Sequence, residues 1–281
     1  MKLLRCGIKG KEVPAVLDKN NCIRDLSGHV SDFNPENLNF NILEKIKKID
    51  LIKLPEISNS TRVGSCISKP GKFIGIGLNF SDHAAETGAK IPTEPIVFMK
   101  ATSCISGPYD KIIIPKSSKK CDWEVEIAFI IGKEAKRVKE SESENYIFGY
   151  CLVNDVSERE WQIEKMGQWT KGKSADTFGP IGPYIITKDE IKNVQNLKMG
   201  LDVNGKKMQN GNTNKMIFNI NFLLSYLSNY MSLQPGDIIT TGTPPGVGMA
   251  MKPPTYLKSG DKIRLYIDEL GEQLHEISVE D

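Results

Sequence analysis

The sequence predicts a β-rich α+β fold, and three observations predict it. A chain of 281 residues is long enough to bury a sizeable core. From residue 73 onward short apolar runs recur, and Gly, Pro, Asn and Asp turn signals separate many of them. Helical signals in that part are few, near residue 157 and over 215–230. Many strands with few helices are typical of the α+β class.

Residues 1–69 are predicted to form a small N-terminal α/β domain, and residues 70–281 the main domain. The segment VPAVLDKNNCIRDLSG predicts a strand, an Asp-Lys-Asn-Asn turn and a second strand. A helix is predicted next, because apolar residues recur at helical spacing at Leu38, Ile42, Leu43 and Ile46. A turn-rich stretch then closes the region near Lys69.

Strands dominate the main domain. The candidates are 73–78, 96–100, 111–114, 123–131, 147–154, 181–186, 199–203, 237–241, 262–267 and 273–279. Ser157 and Glu160 form a capping-box pattern, which predicts a helix that starts at 157. A second helix is predicted over 215–230, where one apolar stripe contains Met216, Ile220, Leu223, Leu224 and Leu227.

Composition excludes several classes of protein. The formal net charge is +2 without a long run of one sign, so neither a nucleic-acid surface nor a basic membrane patch is predicted. No apolar run approaches the roughly 18 residues of a membrane span, and the N-terminal stretch lacks the apolar core of a signal peptide. The six cysteines are scattered without a CxxC pair, which predicts free thiols in the cytoplasm.

Two carboxylates lie side by side in the stretch CDWEVEIAFIIGK. Its apolar face consists of Trp123, Val125, Ile127, Phe129 and Ile131. Glu124 and Glu126 share the other face, and Asp155 ends the next long strand. If the two strands are neighbours, three oxygen ligands converge, a set that suits Mg²⁺, Mn²⁺ or Ca²⁺. For the glutamates alone, an ordinary solvent-facing strand is the alternative.

Three further segments carry candidate groups. His83 and Glu86 lie three residues apart, so in a helical turn the carboxylate can orient the imidazole as a general base requires. Lys171 and Lys173 both lie in a Gly-rich segment that is predicted to be non-helical, and either could reach an anionic intermediate. The loop TTGTPPGVGMA has backbone N–H groups that could bind a carboxylate or a phosphate.

These pieces, in this order, resemble the fumarylacetoacetate hydrolase family. The matching motifs are GxNFxDHxxE at 77–86, DxExE at 122–126, NDVSEREWQ at 154–162, GKSADTFGPIGP at 172–183, GNTxxMIF at 211–218 and LxPGDIITTGTPPGVG at 233–248. The resemblance implies a mixed β-sandwich or roll, a homodimer, and Mg²⁺ or Mn²⁺ bound by Glu124, Glu126 and Asp155.

The resemblance also implies roles for single residues. His83 and Glu86 would activate water on a mobile lid, and Lys173 would stabilise an enolate. Gln162 would position substrate or water. The substrate contacts would come from Thr243, Gly242, Arg159 and Thr177.

The expected function is therefore a metal-dependent hydrolase of β-diketo acids. Its substrate would be an acylpyruvate or a 2,4-diketo-3-deoxy sugar acid, cleaved to pyruvate and a carboxylic acid. A lyase on the same fold (an oxaloacetate decarboxylase or a ureidoglycolate lyase) stays an alternative, as does a silent metal-binding homologue. Asp155→Ala is expected to lose most activity and metal affinity without unfolding the chain.

Overall fold

The computed structural model describes residues 1–280, and most of its regular structure is β. In chain order, the strands of the first half are β1 (Lys2–Cys6), β2 (Val13–Leu17), β3 (Ile23–Asp25), β4 (Glu56–Ile57), β5 (Phe73–Gly77), β6 (Ile96–Lys100), β7 (Ile105–Ser106), β8 (Ile112–Ile114), β9 (Cys121–Asp122) and β10 (Val125–Ile131). Those of the second half are β11 (Ile147–Asn154), β12 (Ser157–Glu158), β13 (Gly179–Pro180), β14 (Ile185–Thr187), β15 (Lys198–Val203), β16 (Lys206–Asn212), β17 (Ile238–Thr240), β18 (Lys262–Ile267) and β19 (Gly271–Val279).

Helices are short and lie between the strands. They are α1 (Phe40–Lys47), α2 (Ser81–Thr87), α3 (Thr170–Lys173) and α4 (Ile220–Tyr230), with a π-helical turn at Glu160–Glu164. Asn39 caps α1 and Asn219 caps α4, each by accepting a backbone N–H in the first turn. No helix within residues 1–280 combines the length and apolar character needed to cross a membrane.

The large sheet places the predicted acidic strand at the centre of the molecule. Its strand order is β4-β3-β2-β1-β14-β11-β10-β17-β5-β6. β10 pairs antiparallel with β11, in a register that sets Val125 opposite Asn154. Asp155 therefore follows β11 beside the start of β10, and its N–H donates to the Glu124 carbonyl at 2.9 Å.

A second sheet covers the first and completes a sandwich. Its order is β16-β15-β18-β19-β8, and β15, β18 and β19 lie against β10 and β11. All seven residues of β10 are buried, because one face meets this second sheet and the other faces the site. The predicted β-rich α+β sandwich is therefore confirmed.

The large sheet is continuous across the predicted domain boundary at 69/70. β1 pairs antiparallel with β14, with Lys2 opposite Ile186, so β1 to β4 extend the sheet of the main domain. Arg62 strengthens the junction, since its guanidinium donates to Glu12 at 2.8 Å and to Asp110 at 2.6 and 2.8 Å. The N-terminal residues thus form the end of a shared sheet.

Three local predictions need correction. Ser157 does not cap a helix: it lies in β12 opposite Asp122, and its hydroxyl donates to the Asp155 carbonyl. The helix predicted over 215–230 begins only at Ile220, because Asn219 provides the cap. β1 and β16 were not predicted, because neither KLLRC nor KKMQNGN alternates; both form by pairing with neighbours.

Candidate active site

One cavity of about 200 Å³ collects most of the predicted site residues. Its walls come from the ends of β5, β6, β10 and β11, from α2 and α3, and from the loop after β17. The predicted site residues that line it are His83, Glu124, Glu126, Asp155, Arg159, Gln162, Lys173, Gly242 and Thr243. The fold thus brings together groups that lie up to 160 positions apart between residues 83 and 243.

The three predicted metal ligands form one buried cluster. One oxygen of each carboxylate, from Glu124, Glu126 and Asp155, lies within 4.8 Å of the other two. Their residues are 6%, 1% and 0% exposed. The solvent-facing alternative for the glutamate pair is therefore wrong. Three buried carboxylates at this spacing repel one another unless cations neutralise them.

Two lysines supply part of that neutralisation. The Nζ of Lys173 donates to Glu124 Oε2 and to Asp155 Oδ2, both at 2.7 Å. The Nζ of Lys100 donates to Asp155 Oδ1 at 2.6 Å and also to the backbone carbonyl of Lys173. The segment predicted to be non-helical forms the short helix α3, which contains both Lys171 and Lys173. Lys171 is exposed, so Lys173 is the lysine of the pair that enters the site.

The environments of the two glutamates differ. Burial alone would raise the pKa of Glu124, but the charges of Lys173 and Arg159 outweigh it and lower that pKa to about 2. Burial raises the pKa of Glu126 well above its usual value, and the charges of Asp155 and Glu124 add to the effect. Glu126 is therefore the carboxylate of the cluster whose negative charge is least neutralised by a cation.

The donor set fits a hard divalent cation. Oε2 of Glu126 accepts from the Thr240 hydroxyl and from the Gly242 N–H at 2.8 Å, which leaves Oε1 open toward the cavity. The ligands are oxygens only, and a cation beside them would remove the repulsion that raises the pKa of Glu126. Glu124, Glu126 and Asp155 could thus hold Mg²⁺ or Mn²⁺.

Arg159 lines the same cavity, and its guanidinium lies among three polar side chains. Its Nε donates to Asp122 at 2.8 Å, and its Nη1 donates to Gln162 Oε1 at 2.9 Å. Nη2 lies 2.7 Å from Glu124 Oε1 without hydrogen-bonding geometry, and it is buried with no hydrogen-bond partner in the described chain. A buried donor of this kind can be satisfied by an oxygen of a bound molecule.

The His83–Glu86 pair forms as predicted, on α2. Nδ1 of His83 lies 2.9 Å from Glu86 Oε2, and Glu86 Oε1 accepts from the Gly246 N–H at 2.9 Å. A carboxylate only accepts, so Nδ1 carries a proton, and in the neutral imidazole Nε2 has the lone pair. Glu86 thereby connects α2 to the loop after β17, and Nε2 of His83 is the basic nitrogen that is available.

Three of the predicted substrate contacts make hydrogen bonds within the protein. Thr243 donates its hydroxyl proton to the Val125 carbonyl at 2.9 Å, so that proton is already used. The Gly242 N–H is taken by Glu126, as described above. Thr177 does not line the cavity, and its hydroxyl accepts from the Ile113 N–H at 2.8 Å. Arg159 is the predicted contact with a nitrogen, Nη2, that makes no hydrogen bond within residues 1–280, although it is ion-paired with Glu124 at 2.7 Å.

Two important residues were not assigned from the sequence. Lys100 ends the strand IVFMK with its side chain fully buried, and a charged residue closing an apolar strand was the available signal. Asp122 belongs to the DxExE motif, and it accepts from Arg159 and from the N–H groups of Gly248 and Met249. It therefore joins the guanidinium to the loop after β17.

A buried oxygen-ligand cluster beside a histidine–glutamate pair is an arrangement that could serve a hard metal ion and a general base. The family model described as fumarylacetoacetate (FAA) hydrolase C-terminal matches residues 72–278. The chain therefore belongs to the fumarylacetoacetate hydrolase family.

Known relatives cover the whole chain. A protein of Burkholderia ambifaria named "Putative hydrolase" is 56% identical over 275 residues, which is 98% of each chain. The solved fumarylacetoacetate hydrolase from psychrophilic Exiguobacterium antarcticum is 31% identical, with a TM-score of 0.89 and 100% of both chains covered. Maleylpyruvate hydrolase from Sphingobium sp. SYK-6, solved with manganese(II) and pyruvate, is 27% identical with a TM-score of 0.84, again over 100% of both chains.

Proposed function

We propose that the chain is a divalent-metal-dependent hydrolase of β-diketo acids. Its substrate would be an acylpyruvate or a 2,4-diketo-3-deoxy sugar acid, and its products pyruvate and a carboxylic acid. The observation that carries the proposal is the single cavity that holds both the carboxylate cluster and the free Nε2 of His83. A manganese-bound relative that hydrolyses maleylpyruvate supports the same reaction type.

Glu124, Glu126 and Asp155 are the proposed ligands of Mg²⁺ or Mn²⁺. Such an ion, when bound, acts as a Lewis acid on substrate oxygens and stabilises negative charge that develops on them. The carboxylate oxygens already lie within 4.8 Å of one another, and the ammonium of Lys173, which bridges Glu124 and Asp155, would have to move aside for the ion. Thr240 and Gly242 hold Glu126 in place through its other oxygen.

His83 is the proposed general base. Nε2 takes a proton from water while the water oxygen attacks the acyl carbonyl of the substrate. The bond between the acyl carbon and the pyruvyl CH₂ then breaks, and the electron pair passes to the pyruvate enolate. His83 then returns this proton to the enolate carbon, which balances the reaction. Glu86 keeps the imidazole in the required tautomer through the contact at 2.9 Å.

Positive groups stabilise the anions of this reaction. Lys173 presents its ammonium at the cluster, where it can donate to the enolate oxygen. Arg159, whose Nη2 is ion-paired with Glu124 at 2.7 Å but makes no hydrogen bond within the described chain, is the proposed contact of the substrate carboxylate. Gln162 is oriented by Arg159 through its oxygen, so its amide nitrogen is the group left to contact substrate or water.

The first test is turnover of a substrate panel with Mg²⁺ or Mn²⁺, with EDTA as the control. The panel contains acetylpyruvate, a 2,4-diketo-3-deoxy sugar acid, oxaloacetate and ureidoglycolate. Chelator-sensitive pyruvate release from a diketo acid is expected. Activity confined to oxaloacetate or ureidoglycolate would overturn the hydrolase proposal in favour of a lyase.

A substitution at His83 separates hydrolysis from decarboxylation. His83→Ala should lower acetylpyruvate hydrolysis by about 100-fold or more, the usual contribution of a general base. Any oxaloacetate decarboxylation should fall much less, because that reaction needs no activated water. His29→Ala, at an exposed histidine, is the matched control. Equal losses in both reactions would argue against the base role.

The oligomeric state and the cellular location of the protein are also proposals. We expect a homodimer in the cytoplasm. Light scattering on the purified chain measures the mass directly, and a mass of one chain would contradict the dimer.

A further inference from the structure

We infer that the acyl group of the substrate is an apolar hydrocarbon chain or ring, and this inference rests on the proposed function. It distinguishes between the two substrate types that the proposal leaves open. The observations concern the part of the cavity away from the carboxylates, where Ile96, Phe98 and Trp169 form one continuous surface. We call these three residues the apolar wall.

The apolar wall is built on two glycines of β5. A Cβ at Gly75 would lie 2.2 Å from Cζ of Phe98, and a Cβ at Gly77 would lie 2.2 Å from Cζ3 of Trp169. Both rings therefore rest directly on the strand backbone. Their centroids are 5.4 Å apart with planes tilted by 53°, a favourable aromatic arrangement. Such packing fixes the wall before any substrate binds.

The wall begins beside the catalytic charges. The ammonium of Lys173 lies 5.1 Å from the centroid of the Phe98 ring. Ile96 lies two residues before Phe98 on the same face of β6, and its register partner is Gly77, beneath Trp169. A substrate whose 2-oxo acid part lies at Lys173 would therefore extend its acyl group over the wall.

Within residues 1–280, Gln162 keeps a free amide nitrogen, but it lies beside Arg159 at the carboxylate cluster. The other groups that could receive a polar acyl chain are already engaged. Among the described residues that line the cavity, the cationic side chains are Lys173 and Arg159, and both lie at the carboxylate cluster. Thr87 donates its hydroxyl proton to the His83 carbonyl at 3.1 Å, and Thr243 donates its own to Val125. A second carboxylate or a row of hydroxyl groups would thus be buried without partners, which is unfavourable.

The size of the cavity sets the scale of the acyl group. A volume of about 200 Å³ lies below the roughly 300–1,000 Å³ of pockets for drug-sized ligands. It suits a small acylpyruvate with a short alkyl or aryl group. Each buried CH₂ should raise kcat/KM by roughly fourfold until the cavity is full.

The test is a comparison of kcat/KM values with Mn²⁺ present. The substrates are acetylpyruvate, butanoylpyruvate, hexanoylpyruvate, maleylpyruvate and a 2,4-diketo-3-deoxy sugar acid. We expect the values to rise from the acetyl to a longer alkyl compound. The dicarboxylic and sugar acids should be about 100-fold poorer than the best alkyl substrate.

A matched pair of variants on one strand tests the wall itself. Ile96→Arg places a cation in the wall, whereas Val97→Arg places the same charge on the other face of β6, at a residue equally exposed (37% for both) and outside the cavity. Ile96→Arg should raise the ratio of kcat/KM for maleylpyruvate over hexanoylpyruvate by 100-fold or more. Val97→Arg should leave that ratio unchanged.

The outcomes separate the inference from the proposed function. A sugar acid or maleylpyruvate cleaved as well as the alkyl compounds, or a flat alkyl series, would overturn the inference and leave the hydrolase intact. An unchanged ratio in Ile96→Arg would also overturn it. Absence of pyruvate release from every diketo acid would overturn both.

Discussion

Glu126 is the carboxylate of the cluster with the least compensation, since burial and the charges of Asp155 and Glu124 raise its pKa. Glu126→Gln keeps the shape and an oxygen for Thr240 and Gly242, but it removes the charge. The metal-free variant should therefore unfold at the same or a higher temperature than wild type. Its affinity for Mn²⁺, measured by calorimetry, should fall more than about 100-fold, beyond the effect of losing an outer-shell partner.

The opposite pair of results would contradict the ligand assignment. If Glu126→Gln lowered the unfolding temperature and kept full Mn²⁺ affinity, Glu126 would be a structural residue. Glu44→Gln is the control, because that carboxylate lies on the surface in a pair with Lys47. We expect it to change neither quantity.

Asp155 shows which properties of a single residue could be predicted from the sequence and which could not. Its place at the end of a strand predicted a ligand, and the structure brings it to Glu124 and Glu126. The expectation that Asp155→Ala would leave the fold intact does not suit the structure, since Asp155 is fully buried between Lys100 and Lys173. Its loss would leave two buried ammonium groups without a shared counter-ion.

A substitution at Lys100 tests the buried network of Lys100, Asp155 and Lys173 without removing a proposed metal ligand. Lys100→Met should lower the free energy of unfolding by roughly 3 kcal/mol, the scale for breaking a buried pair from one side. Added Mn²⁺ should recover part of the loss, because a cation at the cluster replaces the missing charge. Denaturant unfolding with and without Mn²⁺ measures both effects.

Lys111→Met is the matched control for Lys100→Met. Lys111 pairs with Glu276 on the surface, where its side chain is 59% exposed. Its substitution should change the stability by no more than about 0.5 kcal/mol. Equal effects of the two substitutions would show that Lys100 does not support the cluster.

At the scale of elements, the glycines of β5 decide where the aromatic rings lie. Gly77→Ala would put a Cβ 2.2 Å from the Trp169 ring and force that ring outward. We expect a loss of stability of about 1–3 kcal/mol, as for overpacking, and a lower kcat/KM for alkyl acylpyruvates. Mn²⁺ affinity should not change, because the ligands lie on other strands.

The control for Gly77→Ala is a glycine with free space around it. A Cβ at Gly28 would meet nothing within 4 Å, so Gly28→Ala should leave stability and turnover near wild type. If Gly77→Ala behaved in the same way, Trp169 would not need the bare backbone of β5. The apolar wall would then be adaptable rather than fixed.

Local sequence signals explain the elements that were predicted and those that were not. β10 and β11 were predicted because long apolar runs have few alternatives, and both are fully buried. The Ser157–Glu160 pattern failed because a capping box is a short local signal, and pairing of β12 with β9 outweighs it. β1 depends on β14, a partner far along the chain that a local pattern does not contain. Within residues 1–280, β16 pairs only with the adjacent β15, and its polar sequence gives no strand pattern of its own.

At the scale of the whole molecule, one continuous sheet contains strands from both sides of the predicted domain boundary at 69/70. β1 pairs with both β2 and β14, and Arg62 connects Glu12 to Asp110 across the same boundary. We therefore expect the full chain to unfold in one cooperative transition. In calorimetry the measured enthalpy should equal the van't Hoff enthalpy.

Removing residues 1–69 tests whether the main domain depends on the N-terminal strands. The truncated chain would retain the family match at 72–278 and all the proposed ligands. It would expose the free edge of β14 and leave Asp110 without Arg62. An uncovered edge strand promotes association between chains, so we expect aggregation or a much lower unfolding temperature. If the truncated chain were monomeric, equally stable and able to bind Mn²⁺, the main domain would be independent, and the shared sheet would reflect docking of two separately folded units.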